Sequence, residues 1–327
     1  MISKRAFLHS AACAAVTFGS TGLTPARTTS PRPSRSVRWV VPYAPGGATD
    51  VLSRLICQRL SETLGHPFIV ENKAGAGSNV GTQAVISSPP DGYTLLLITT
   101  ANAIKASFDP TLPFDFAKSI MPIAGVGRIP IVLVVNNDLP VHSVADFIAY
   151  AKANPGKMSI ASTGIGTSLH LAGELFKTMA GIDFTIVSYR GSAPALTDVM
   201  SGQIDGMFDN ITSSFELALS GKLRAIGVTM HDRSELLPDV PSIDDLLPGY
   251  QASSFYGVGA PAGTPREIVD LLNREINAAI LHPAVWQRIM DLGAIPLTGD
   301  TPEFGAMLAA ETEHWRKVVS VTGVKME

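Results

Sequence analysis

The sequence predicts an α/β protein built from two similar lobes that face each other across a cleft. Three observations lead there. Short, continuous apolar runs of strand type recur along the chain, among them "VRWVVPY", "PFIVEN" and "TLLLITT". Several of them enter a loop of glycine and hydroxyl residues and then a segment with helical spacing, the pattern of parallel strands covered on both faces. The chain has 327 residues, enough for about two domains, and with 46% apolar and 16% charged residues it buries a sizeable core.

The first 26 residues stand apart. Lys4 and Arg5 precede the small and apolar run "AFLHSAACAAVTFGSTG", and small residues close it at "LTPA", the layout of a secretory signal peptide. The competing reading is a buried N-terminal helix. It is opposed by residues 27–36, "RTTSPRPSRS", which read as a disordered lead-in. Cys13 lacks the leucine expected before a lipid-modified cysteine. Cleavage removes two cations and no anion, taking the formal charge from -3 to -5. With no basic block, nucleic acid is not an expected partner. No later segment reaches the ~18 uninterrupted apolar residues of a membrane span. Only Cys57 survives cleavage, so an internal disulfide and a thiolate metal cage are excluded, and its place on an apolar helix face makes it a buried structural thiol.

The elements follow in order. "VRWVVPY" leads to a helix from about Asp50 to Leu64, where Val51, Leu52, Leu55, Ile56, Leu60 and Leu64 keep helical spacing and Gly65 ends it. "PFIVEN" is the next strand; "KAGAGSNVG" leads into a helix through Ala84 and Val85; "PPDGY" is a turn and "TLLLITT" a third strand. A second set begins at "IPIVLVVN". Ser143 and Asp146 open the helix "VADFIAYAKA". "KMSIAST" is a strand, and "GIGTSLHLAGELFKTMAG" a loop and an amphipathic helix closed by Gly181. "FTIVSY" is a strand after which Ser192 caps a helix with Pro194 in its first turn; "QIDGMF" and "LRAIGVT" are further strands. In the last third, Thr264 as N-cap, Pro265 and Glu267 open a helix with the stripe Ile268, Leu271, Leu272 and Ile276; "TPEFGAMLAAETEHWRKVV" forms another.

Familiar catalytic and nucleotide motifs fail. "APGGATD" has no Gly-Lys-Ser/Thr, so it supplies neither the lysine nor the magnesium ligand of a phosphate loop. "GAGSNVG" places Gly75, Gly77 and Gly81 one residue too far apart for a dinucleotide fingerprint, and "STGIG" has no third glycine. No G-x-S-x-G elbow occurs, and no histidines pair as H-x-x-x-H. A periplasmic hydrolase would have to assemble His170 with Ser168 or Asp209, and nothing in the sequence places them together. His170 otherwise reads as a helix-start histidine bonding neighbouring backbone. Asp50 reads equally as a brace of its helix start and as a ligand contact. Asp205 and Asp209 flank "GMF" at a strand end, where either could brace the cleft, and neither is an obvious base.

What remains is convergence. "PGGATD", "GAGSN", "STGIGTS" and "YRGSA" each end a strand with glycine and hydroxyl residues. Loops at the carboxyl ends of parallel strands are where open α/β sheets bind ligands. Their N–H and O–H donors suit a carboxylate, while the lack of a lysine cluster disfavours a highly charged phosphate. "TTANAI" (99–104) and "FDNITSSF" (208–215) complete the walls and carry no cation, so a strongly anionic distal group is not expected.

These stretches resemble the tripartite tricarboxylate transporter receptors, the Bug family of periplasmic solute-binding proteins. The resemblance runs from about Val37 to Val324 and is carried by "VVPYAPGGATDVLSRL", "LGHPFIVENKAGAGSNVGTQAV", "PPDGYTLLL", "GIGTSLHLAGELF", "YRGSAPALTDVMSGQIDGMFDN", "LPDVPSIDDLLPGY" and "YGVGAPAGTP" in this order. It implies a type II-like Venus-flytrap fold: domain 1 from residues 37–127 and 250–327, domain 2 from residues 128–249, joined by crossover strands around a ligand cleft. It implies a monomeric, non-enzymatic receptor without cofactor or metal that holds a small organic carboxylate through N–H groups, hydroxyls and ordered water. Carried onto this sequence, the contacts are Tyr43, Gly46, Gly47, Thr49 and Asp50, with Gly77 and Ser78 nearby, and Ser162, Thr163, Gly164, Thr167, Tyr189 and Asp209 from the second domain. Arg190 is a weaker candidate. The expected partner is a membrane permease of the tripartite type; relatives that feed a sensor protein leave signalling as the alternative.

Overall fold

The computed structural model describes residues 33–108 and 112–324. The signal peptide expected over residues 1–26 lies outside the described residues. Of the expected lead-in, residues 33–36 are not loose: Ser34 donates its backbone N–H to the Tyr93 hydroxyl, and Arg35 pairs with Asp91 and lies over the Tyr93 ring.

The first sector alternates as its apolar runs demand. Strand β1 (Val37–Val41) leads to helix α1 (Ala48–Leu64), β2 (Phe68–Asn72), α2 (Asn79–Ile86) and β3 (Thr94–Thr99). β1 lies between β2 and β3, parallel to both. Helix α1 begins two residues before the expected Asp50 and ends where Gly65 takes the left-handed conformation, φ 75°. A helix that the sequence reading left out, α3 (Thr100–Phe108), starts directly from β3, and the short α4 (Phe116–Ser119) follows the undescribed residues.

The run "IPIVLVVN" belongs to a longer element than expected. Strand β4 (Ile120–Val135) is 16 residues long and passes from one sector into the other. Its first part pairs antiparallel with β9 (Ser253–Pro261), which in turn pairs antiparallel with β3. Its last five residues pair with strands of the second sector.

That sector repeats the alternation: α5 (Val144–Ala153), β5 (Ser159–Ser162), α6 (Ser168–Ala180), β6 (Thr185–Ser188), α7 (Ser192–Met200), β7 (Gly206–Asn210), α8 (Ile211–Leu219) and β8 (Arg224–Val228). β5 is parallel to β6 and β7, whereas β7 and β8 run antiparallel to β4, so the sheet is mixed rather than wholly parallel. After β9 come α9 (Arg266–Leu281), α10 (Pro283–Asp291), the two-residue β10 (Ile295–Pro296) and α11 (Thr301–Thr322), which a capping box between Asp300 and Glu303 opens. Among the described strands the order is β2-β1-β3-β9-β4-β7-β5-β6.

Two expected caps differ. Ser192 is the first residue of α7 rather than its cap, because its hydroxyl is spent on Asp209; Gly191 takes the cap position. Pro265, not Thr264, precedes α9, and the Thr264 hydroxyl bonds the Pro261 carbonyl. The Ser143 cap is present, accepting from the Asp146 N–H.

One apolar cluster continues through both sectors. In the first, Trp39, Leu52, Ile56 and Leu60 are fully buried, and the Trp39 indole donates to Ser53 at 3.0 Å. In the second, Phe147, Phe176, Phe184, Phe208 and Tyr250 stack in edge or tilted pairs, and the Tyr250 hydroxyl satisfies the Ala172 carbonyl. Each such side chain contributes about 1.5–3 kcal/mol of burial, enough to hold the strand ends that carry the loops. Cys57 sits in this core, and burial pushes its thiol well above the ordinary range, so it is inert.

Candidate functional site

The two sectors meet along their strand ends, and the contacts between them are close. The Ala44 N–H donates to the Arg190 carbonyl at 2.9 Å. The Ser168 and Ser254 hydroxyls bond at 2.8 Å, and Asn210 donates to the Tyr256 hydroxyl at 2.9 Å. A Cβ placed on Gly164 would lie 3.0 Å from the Gly77 Cα, and one on Gly191 3.0 Å from the Ala44 Cβ. Glycine is needed at both crossing points because backbone touches backbone. Gly164 also has φ 119°, which other residues rarely adopt.

Between these contacts lies a narrow inner cavity of about 30 Å³. Its wall is made of helix beginnings: Gly47, Ala48 and Thr49 at the start of α1, Thr99, Thr100 and Ala101 at α3, Thr167, Ser168 and Leu169 at α6. Ser192 begins α7 and Asn210 immediately precedes α8. The first N–H groups of a helix have no intrahelical acceptor, and the helix dipole is positive at that end. Among the described residues no carboxylate, ammonium or guanidinium lines this cavity. The local means of keeping these termini in place are visible. Thr167 accepts from the His170 N–H and donates to the Gly164 carbonyl, and Asn102 reaches back to the Thr99 N–H.

Among the expected residues, Tyr43, Gly47, Thr49, Thr163 and Thr167 come together on this wall. Tyr43 is buried, which raises its hydroxyl to about 12. Four others, Asp50, Gly46, Asp209 and Ser162, stand behind it. The Asp50 carboxylate is occupied by the Gly46 N–H and by both arms of Arg54, so Gly46 keeps no N–H for a ligand; burial pushes the acid upward, but these bonds hold it below the usual range. Asp209 is fully buried and accepts from Ser192 at 2.5 Å and Ser213 at 2.6 Å; burial raises it to about 6. Ser162 lies under the loop, 3.4 Å from the Gly164 N–H. In this structure Asp50, Gly46 and Asp209 bond within the protein and brace the wall from behind.

A larger cavity of about 590 Å³ shares the Tyr43 and Thr163 walls and opens beside the exposed Val80 and Arg190. Gly77, Ser78, Gly164 and Tyr189 lie here. The Tyr189 hydroxyl is committed to Asp198 at 2.6 Å, so only its ring serves as wall. This outer chamber also holds Lys105, one residue beyond the stretch read as lacking a cation. Lys105 is buried and donates to the Ala76 carbonyl at 2.5 Å. Its target loop runs through left-handed backbone at Gly75, Ala76, Gly77 and Ser78, strain of the sort concentrated at working sites.

The wall residues missed were Ser254 and Tyr256; Thr100 and Ser192 lie in "TTANAI" and "YRGSA", stretches expected at the site. For Ser254 and Tyr256 a signal existed: they alternate on β9 and so share one face. His170 is buried on α6; burial, then the nearby Lys177 and Lys105 charges, lower it to about 4, so it is neutral. Its ring contacts the Gly166 N–H region, and it meets neither Ser168 nor Asp209 in a hydrogen bond. No catalytic set is assembled, and no group of three or more metal-ligating side chains occurs among the described residues.

Strand-end loops around a polar cavity on an α/β frame are the arrangement of a solute-binding protein, and comparison with known proteins agrees. The chain belongs to the tripartite tricarboxylate transporter receptor family, the Bug family: residues 52–324 match the family described as "Tripartite tricarboxylate transporter family receptor". It is 37% identical over 298 residues to Protein BugT of Bordetella pertussis, covering 90% of this chain and 91% of that one. Among solved structures, R. palustris Rpa4515 with adipate is similar with a TM-score of 0.86 and 37% identity, covering 89% of this chain and 98% of that one. MatC from Rhodopseudomonas palustris with bound malate has a TM-score of 0.84 and 30% identity, covering 88% and 99%.

Proposed function

We propose that this protein is an extracytoplasmic receptor that captures a small organic carboxylate in the inner cavity and passes it to a tripartite-type permease. The observation that carries the reading is the meeting of the α1, α3 and α6 N-termini on one cavity whose wall has no charged side chain among the described residues. Such an array suits one carboxylate: several N–H and hydroxyl donors, partial positive charge, and no counter-ion. Gly47, Thr49, Thr163 and Thr167 are the contacts, with Tyr43 closing one side. The adipate and malate named for two similar structures belong to this ligand class. The expected signal peptide fits export, and among the described residues no helix is long and apolar enough to cross a membrane.

The proposed mechanism is closure of residues 128–249 onto residues 37–127 and 250–327 about β4 and β9. The Ala44–Arg190, Ser168–Ser254 and Gly77–Gly164 contacts exist only when the lobes are together, and ligand adds to them. A ligand at 100 times its dissociation constant adds about 2.7 kcal/mol to stability. A thermal-shift panel of aliphatic dicarboxylates, aromatic carboxylates and acidic amino acids tests this: one class raises the midpoint. A panel in which only sugars or cations do so refutes it.

A further inference from the structure

We infer that the end of α11 is a latch of the closed form: fastened to the first sector, it holds the second sector beside α6 only while the lobes are together. On the closure mechanism proposed above, on which this rests, it is a third and breakable link beside β4 and β9.

The helix is anchored twice. Its first half is fastened to the first sector. The Asp300–Glu303 capping box opens it, and the Thr301 hydroxyl donates to the Ile123 carbonyl at 3.0 Å. Phe304 and Leu308 are buried in a separate apolar cluster with Val40, Leu96, Ile98 and Phe255, all from residues 37–127 and 250–327. Glu311 then takes the Arg128 guanidinium at 2.6 Å, next to the point where β4 stops pairing with β9 at Pro130.

The second half leaves that sector. Trp315 is buried in the cluster that continues through both sectors, and it lines a cavity with Met230, His231 and Asp232. The helix then runs beside α6. Its end, Thr322, Gly323 and Val324, shares a cavity of about 390 Å³ with Ile165, His170 and Ile186. At 1.5 Å per residue Thr322 stands roughly 16 Å beyond Glu311. A helix held up to Glu311 is therefore a lever. Turning the lobes by roughly 10° about the β4 crossing carries its tip about 3 Å away from α6, which breaks contacts of van der Waals range.

The latch acts on the closing loops from behind. Ile165 and Ser188 line this cavity and the outer chamber alike. They belong to the loops whose Gly164 and Arg190 meet Gly77 and Ala44. The cavity beside the helix end marks a contact that is only partly filled. Such a contact biases the closed form and still releases, whereas close packing would hold the lobes shut.

Spin labels on Gln58→Cys in α1 and Ser201→Cys after α7, both exposed positions, report the separation of the lobes in the ligand-free full chain. Cys57 is buried and takes no label. Val324→Asp places a charge in the latch and is expected to move the population toward the longer separation. Affinity for the carboxylate that gives the largest thermal shift is expected to fall about threefold or more as the closed fraction falls. Val324→Ala moves both readouts the same way by less, and since Val324 lies beyond the C-cap Gly323, melting without ligand changes little in either variant. Val321→Asp, on the same turn but 65% exposed, leaves both readouts as they are. An unchanged separation in Val324→Asp, or an equal shift in Val321→Asp, overturns the latch. If carboxylate shortens the separation in every variant alike, closure stands and the latch alone falls. If nothing moves the separation, the closure mechanism falls and the latch with it.

Discussion

The inner cavity and the outer chamber are neighbours made on different principles. The inner one is lined by backbone and hydroxyls at helix starts, held from behind by Asp50 and Asp209. The outer one carries full charges on side chains and a strained loop. On the proposed reading the first is the grip on a carboxylate, and the second is the wider space beside it. Backbone donors cannot be changed by substituting side chains, whereas the outer chamber presents side chains, among them the exposed Arg190 and the buried Lys105, which also ties down the Ala76 carbonyl.

The largest expected effect breaks the grip itself. Gly164→Val forces a branched side chain onto the Gly77 backbone and into a conformation at φ 119° that valine rarely adopts. Ligand affinity measured by calorimetry is expected to fall by about a hundredfold or more, ~2.7 kcal/mol, because the lobes no longer meet. Retained affinity would show that closure does not depend on this crossing.

The supports of the grip have opposite pH signatures. His170 is depressed from 6.5 to about 4, so its contribution to stability is present above 6.5 and is lost as pH falls toward 4. Asp209 is raised from 3.8 to about 6, so its contribution is present below 3.8 and is lost as pH rises toward 6. The two slopes oppose each other between pH 4 and 6. Melting profiles across this window should tilt in opposite directions for the variants: His170→Gln loses stability as pH rises, and Asp209→Asn as pH falls. Parallel profiles would remove the assigned burial of one group.

Smaller effects sharpen the division. Thr167→Ala removes the α6 cap and is expected to cost about 1 kcal/mol of stability by chemical denaturation, with weaker binding of monoacids and diacids alike. Arg190→Gln is expected to change stability by less than about 0.5 kcal/mol, since its side chain is exposed and only its carbonyl is bonded to Ala44. A large loss there would move Arg190 to the structural side.

Much of this was legible in the sequence because it depends on local rules. The strand–loop–helix alternation marked β1, α1, β2 and β3, and the glycine–hydroxyl loops marked the cavity. The cap positions at Ser192 and Thr264 slipped by one residue because each hydroxyl found a different partner, Asp209 and the Pro261 carbonyl. Lys105 escaped notice for a different reason. Whether a residue at the end of "TANAIK" faces solvent or the cleft depends on α3 starting at Thr100 without a connecting loop, and on a loop 29 residues earlier in the chain lying above it. Asp50 and Asp209 were placed near the site by position, but their commitment to Arg54 and Ser192 is a tertiary fact.

The central claim is that helix N-termini, without a charged partner in the inner wall, hold a carboxylate. Calorimetric titration of the protein with the carboxylic acid that gives the largest thermal shift, and in parallel with its primary amide at the same end, tests it most directly. The acid is expected to bind and the uncharged amide to bind about a hundredfold more weakly or not at all. Equal affinity for the amide, or binding of sugars or cations in place of either, would contradict it.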